Sequence, residues 1–161
     1  METRDHSNGS ASAPEVRITN IVTVCTDMSE AEVVGQSLLQ LDVGCLITYC
    51  RIADLKTSPP ADEVALFVLA TDASPEVVQR TLGWLRHYWS RSTVAVVGDS
   101  GAGQEELAAR VGGAAYLVRP VGPEQWQVLI RHAIRCLQTA NVPIACWPQP
   151  SGQNDYPSTC E

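Results

Sequence analysis

Four positions where short apolar runs give way to polar residues hold the groups with chemical potential: Asp27, Thr71 with Asp72, Gly98 with Asp99, and Arg119. Carboxylates, a hydroxyl and a cation are the groups that phosphoryl transfer to an aspartate uses. An acceptor carboxylate takes the phosphoryl group, further carboxylates hold magnesium, and the cation and hydroxyl take up the charge of the transferring group. The same acids also suit a plainer use, as turn and cap residues whose short side chains satisfy loose backbone amides. These residue types alone imply no cofactor.

Two other clusters stand out. In Trp84-Leu85-Arg86-His87-Tyr88-Trp89, Trp84 and Tyr88 lie four apart on one helical face, while Leu82, Leu85 and Trp89 form a stripe suited to burial. Tryptophan and tyrosine dominate binding hot spots, so Trp84 and Tyr88 are partner-binding candidates. Near the end of the last apolar periodicity, Arg131, His132 and Arg135 lie off the apolar stripe and form a small basic face. It is either a solvated face or a docking point for an acidic partner, and Arg131 and Arg135 join the candidates. A glycine-rich stretch, Gly98-Asp99-Ser100-Gly101-Ala102-Gly103, has amides that could hold an anion at a helix start. It lacks the lysine of a P-loop and the later acid of a dinucleotide site.

Composition narrows the classes. The 161 residues, 45% of them apolar, suffice for one domain with a real core. A net charge of −7 without a Lys/Arg run argues against nucleic-acid binding. No apolar stretch approaches a membrane span, and residues 1–15 do not read as a signal peptide, so the expected location is cytoplasmic. Of the six cysteines, Cys25, Cys45, Cys50 and Cys136 fall in apolar segments and are expected to be reduced, small and buried, with Cys146 and Cys160 in the tail. No spacing suggests zinc.

The elements that must position these groups alternate apolar runs with amphipathic stretches in five β/α rounds, the pattern of a parallel sheet covered on both faces. Strands are expected at 18–25, 44–52, 64–70, 93–97 and 115–118, the first of them central. Helices follow each strand. Ser29 is expected to cap the first, and Pro59 and Pro60 interrupt the second crossover. Ser74-Pro75-Glu76 opens the third helix, which runs to about Ser90. The fourth covers Gln104 to Val111 before Gly112-Gly113, and the fifth opens at Pro123-Glu124. The domain expected is 16–139, between a disordered segment at 1–15 and a flexible tail at 140–161.

The stretch Gly112-Gly113-Ala114-Ala115-Tyr116-Leu117-Val118-Arg119-Pro120 resembles the Gly-Ala-x-x-Tyr-Leu-x-Lys-Pro pattern of response-regulator receiver domains at their fifth strand. The resemblance spans about Arg17 to Gln138. It implies a flavodoxin-like, doubly wound five-stranded parallel sheet of order 2-1-3-4-5, with Asp27, Thr71, Asp72, Gly98, Asp99 and Arg119 around one crevice at the carboxyl ends of the strands. It also implies departures. Arginine replaces the usual lysine, which is not a neutral exchange. Gly98 stands where receivers carry a threonine or serine. Counting four back from Pro75 reaches Thr71, leaving Asp72 one place late, and Cys25-Thr26-Asp27 offers one acid where two adjacent ones are usual. Arg119 is then expected to pair with Asp27 or Asp72. Tyr116 matches the aromatic whose rotation in the family follows that hydroxyl residue, so Gly98 breaks the coupling and leaves Tyr116 a packed or rim aromatic.

The resulting expectation is a non-enzymatic, stand-alone pseudo-receiver that signals or scaffolds through protein contacts without phosphorylation. The partner would be a histidine kinase or another signalling protein, or a second copy of the chain through the fourth helix, fifth strand and fifth helix. One alternative is a divergent receiver phosphorylated on Asp72 with magnesium, for which the resemblance implies Asp27 and Asp72 as ligands. A small anion or nucleotide binder is another.

Overall fold

The structure is a computed structural model, and it describes residues 19–139. The strands are β1 (Asn20–Cys25), β2 (Cys45–Tyr49), β3 (Val64–Ala70), β4 (Thr93–Gly98) and β5 (Ala115–Val118), and all pair in parallel in the order β2-β1-β3-β4-β5. The helices are α1 (Met28–Leu41), α2 (Ile52–Thr57), α3 (Pro75–Tyr88), α4 (Gly103–Val111) and α5 (Pro123–Thr139). This is the doubly wound, flavodoxin-like order expected. The expected ends at 1–15 and 140–161, with Cys146 and Cys160, lie outside the described residues.

Alternation along each strand builds two cores. Ile21 and Cys25 of β1 and Val68 and Ala70 of β3 face α1 and α5, where Val34, Leu38, Trp126 and Ile130 are buried. Val22, Val24, Phe67 and Leu69 face the other way, against Leu55 of α2, Leu82 and Leu85 of α3, and Ala109 of α4. The middle position belongs to β3, all seven of whose residues are buried, and not to β1 as expected. β1 sits one place off centre, joined to its edge neighbour by a Thr23 hydroxyl that donates to Thr48 at 3.0 Å. Exposed edge position makes β2 shorter than expected and only half-buried.

Local chemistry explains the boundaries. Asp27, not Ser29, is the N-cap of α1: its carboxylate accepts from the Ser29 amide at 3.0 Å, because the helix begins two residues earlier than a Ser29 cap requires. Asp42 ends α1 in the left-handed conformation at φ 52. α2 manages six residues before Ser58, Pro59 and Pro60. α3 stops at Tyr88, earlier than the expected Ser90, and Trp89 turns back into the core instead. Cysteine burial also departs from expectation. Cys25 is buried, but Cys45 and Cys50 are exposed at the ends of the edge strand and Cys136 is partly exposed on α5, so apolar neighbours in sequence did not imply burial.

Candidate functional site at the carboxyl edge of the sheet

Because all five strands run parallel, their carboxyl ends share one edge, and the loops there carry Asp27, Thr71, Asp72, Asp99 and Arg119. Backbone bonds tie the loops together: the Thr26 amide donates to the Ala70 carbonyl at 3.3 Å, and the Arg119 amide to the Gly98 carbonyl at 2.9 Å. The edge is therefore a common platform. The groups on it do not all converge.

Arg119 is the centre of what does. Its Nε donates to Glu30 Oε1 at 2.5 Å and its Nη1 to Asp99 Oδ1 at 3.4 Å. The Glu30 contact is the substantive one, with the carboxylate side chain 12% exposed against 79% for Asp99. The bond to Glu30 raises the Arg119 pKa above the ordinary arginine value, against the opposing effect of burial. This corrects the expectation that Arg119 pairs with Asp27 or Asp72. Asp27 is turned onto the first turn of α1, and Asp72 is exposed two residues beyond β3. Thr71 is half-buried, with its hydroxyl accepting from the Ala73 amide at 3.4 Å in a local turn.

Glu30 is not among the site residues expected from the sequence. Its place in the first turn of α1 does suit the dipole, yet the same turn points it across the edge to Arg119. No sequence signal in either segment points to this pairing, which spans 89 residues. Beneath the pair, Val33, Val121 and the fully buried Trp126 line a small cavity of about 250 Å³.

At the end of β4, Gly98 does more than lack a hydroxyl. A Cβ built on it would fall 2.1 Å from the Tyr116 hydroxyl oxygen and 2.8 Å from Cζ, so the phenol ring stands in the space a side chain would use. The Tyr116 hydroxyl donates to the Asp99 carbonyl at 3.3 Å. Burial, then the charges of Glu105, Glu106 and Asp99, push the Tyr116 pKa up. The ring is thus half-buried over the strand end.

The glycine-rich run after β4 leads into α4 with Ala102 as a cap that supplies no side-chain acceptor. Glu105 and Glu106 occupy the first turn, so negative charge already stands where an anion would be drawn. Among the described residues, no group of three or more His, Cys, Asp or Glu side chains is arranged to hold a metal ion.

The other candidates lie away from this edge. Trp84 is half-buried in a chain of ring contacts, edge-on to Trp89 at 5.3 Å and tilted against Tyr88 at 5.5 Å, with the Lys56 ammonium 5.7 Å from its ring centre. Trp89 in turn meets Phe67 at 5.2 Å, the core use expected of it. Tyr88 is 62% exposed, which leaves it the accessible end of the cluster. Arg131, His132 and Arg135 are exposed along α5.

No family model matches the chain, and no curated protein matches it. Solved structures do. The response regulator DrrB of Thermotoga maritima, an OmpR/PhoB homologue, is 19% identical at a TM-score of 0.56; the match covers 77% of this chain and 54% of that one, about half of DrrB. A CheY-like receiver domain from Methanospirillum hungatei is 13% identical at a TM-score of 0.63, over 78% of this chain and 100% of its own. An adenylate cyclase structure from Rhodopirellula baltica is 14% identical at 0.61, over 77% and 93%. The fold is accordingly that of response-regulator receiver domains. Among the described residues no helix is long and apolar enough to cross a membrane.

Proposed function

We propose that this chain is a cytoplasmic pseudo-receiver: a non-enzymatic signalling or scaffolding module that binds protein partners without an aspartyl-phosphate switch. The observation that carries this reading is the capture of Arg119 by Glu30 at 2.5 Å. A cation already neutralised by a carboxylate of its own chain has little charge to offer a phosphoryl group. Two further features support it. Gly98 gives no hydroxyl and yields its space to Tyr116. Asp27 is engaged as the α1 cap, and among the described residues no three acids are grouped to hold a metal ion.

The partner surface on this reading is α4, β5 and α5. Leu107 and Val111 are 61% and 69% exposed on α4, where they line a cleft against α3, Val118 is 45% exposed on β5, and Val128 is 66% exposed on α5, which also carries the exposed Arg131 and Arg135. Exposed apolar side chains on these elements suit a protein contact, with a second copy of the chain or with another signalling protein such as a histidine kinase. The net charge of −7 favours neither nucleic acid nor an anionic membrane.

The exposed carboxyl of Asp72 favours one rival, phosphorylation at that residue with magnesium. Incubation with acetyl phosphate and magnesium, read by intact mass, together with beryllofluoride read by thermal shift, decides between them. The pseudo-receiver should take up no phosphoryl mass and keep its Tm. A phosphoryl group mapped to Asp72 with an accompanying Tm shift would falsify it.

A further inference from the structure

At the opposite edge of the sheet, the end of α1, the start of β2 and the end of α5 enclose an open groove of about 690 Å³. Leu38, Leu39, Val43, Leu46 and Ile134 give it an apolar lining, and Gln138 stands at its rim. Leu39 is 82% exposed there, an extreme value for a leucine in a helix whose other face is buried. The groove lies at the amino ends of the strands, away from Arg119, and shares with the partner surface proposed above only α5, through Ile134 and Gln138.

We propose that this groove is the docking site for the chain's own segment Val142-Pro143-Ile144-Ala145-Cys146-Trp147. Three observations on the molecule select this occupant. Position is the first: α5 ends at Thr139, one residue past Gln138 on the rim, so Val142 is four residues from the groove and within about 14 Å of it along an extended chain. Composition is the second: between Ala140 and Glu161 the apolar residues concentrate at 142–147, and no charged residue occurs before Asp155, so burial strands no charge. Backbone preference is the third. Pro143 biases Val142 toward extended geometry, and in an extended segment Val142, Ile144 and Cys146 share one face that meets the leucines. The opposite end of the chain also arrives here, at Thr19, but residues 1–15 are predominantly polar and charged.

The chain carries its own probes. Cys45 is exposed and lines the groove, and Cys146 lies in the segment. Diamide oxidises two adjacent thiols to a disulfide, taking up their two electrons and two protons. With the full chain at low concentration, peptide mapping should find Cys45 joined to Cys146 within one molecule. Leu39→Asp and Ile144→Asp should each cut that yield about tenfold, the weight of one buried leucine-sized side chain, and leave Tm of the domain in place for the exposed Leu39. Acrylamide should quench Trp147 more readily in both variants. Equal yields in the parent and both variants would overturn the proposal. So would a disulfide formed between molecules and rising with concentration, which assigns the groove to a second copy. Hydrogen-exchange protection at 1–15 that Leu39→Asp abolishes, with none at 142–147, assigns it to the opposite terminus and equally overturns the proposal.

Discussion

The two edges of one sheet are finished in opposite ways. At the carboxyl edge, polar groups answer one another: Arg119 with Glu30 and Asp99, Asp27 with the Ser29 amide, Tyr116 with the Asp99 carbonyl. At the amino edge, apolar side chains border an open groove and the turn between α1 and β2 is held by backbone bonds and the packing of Val43, with the Cys45 amide donating to the Thr19 carbonyl at 2.9 Å. Two edges of the same strands therefore differ in what disturbs them. Side-chain charge governs the first, and chain geometry and apolar cover the second.

The sharpest way to break this contrast is at the amino edge. Gly44 has φ +72, and a Cβ there would fall 2.4 Å from the Thr19 carbonyl oxygen, a backbone atom that cannot swing aside. Gly44→Ala should cost roughly 2–4 kcal/mol, combining left-handed strain with displacement of the β1 entry, and thermal or urea unfolding measures it. A loss below about 0.5 kcal/mol would show that this turn is not held as described.

The carboxyl edge should respond to charge instead. Glu30→Ala removes the partner of a partly buried cation and is expected to cost about 1–3 kcal/mol, between the values for exposed and for fully buried pairs. It should also free Arg119 for anions, so that phosphate or sulfate raises the Tm of the variant more than that of the parent. Identical anion responses in the two proteins would remove Arg119 from the account. Smallest is the effect of pH through Tyr116. Its folded pKa lies above the unfolded tyrosine value, so its contribution to stability is complete below about pH 10 and is lost as pH rises through the folded pKa. Tyr116→Phe should flatten that alkaline loss, and a variant whose alkaline unfolding profile matches the parent would refute it.

How much of this was readable in advance follows the range of the forces involved. β3 and β5 were placed to the residue because a continuous apolar run and the Gly-Gly and Pro stops around 115–118 are local signals. The order of the sheet followed from the β/α rhythm and the receiver-like stretch ending at Pro120. What escaped was set by neighbours far along the chain. Glu30 and Arg119 are 89 residues apart, and no pattern within either segment joins them. Cys45 and Cys50 look buried from their apolar neighbours but sit on an edge strand, a property of the assembled sheet. The Ser29 cap failed for a simpler reason: Asp27 and Ser29 both suit a cap, and the side-chain bond of Asp27 decided between them.

The ring of Tyr116 over Gly98 has a consequence for substitution at that position. A side chain at position 98 requires the Tyr116 phenol to swing out of the place that side chain would take. On the proposed reading it would still find Arg119 held by Glu30. Positions 98 and 116 are therefore coupled, and the effect of changing either depends on the other.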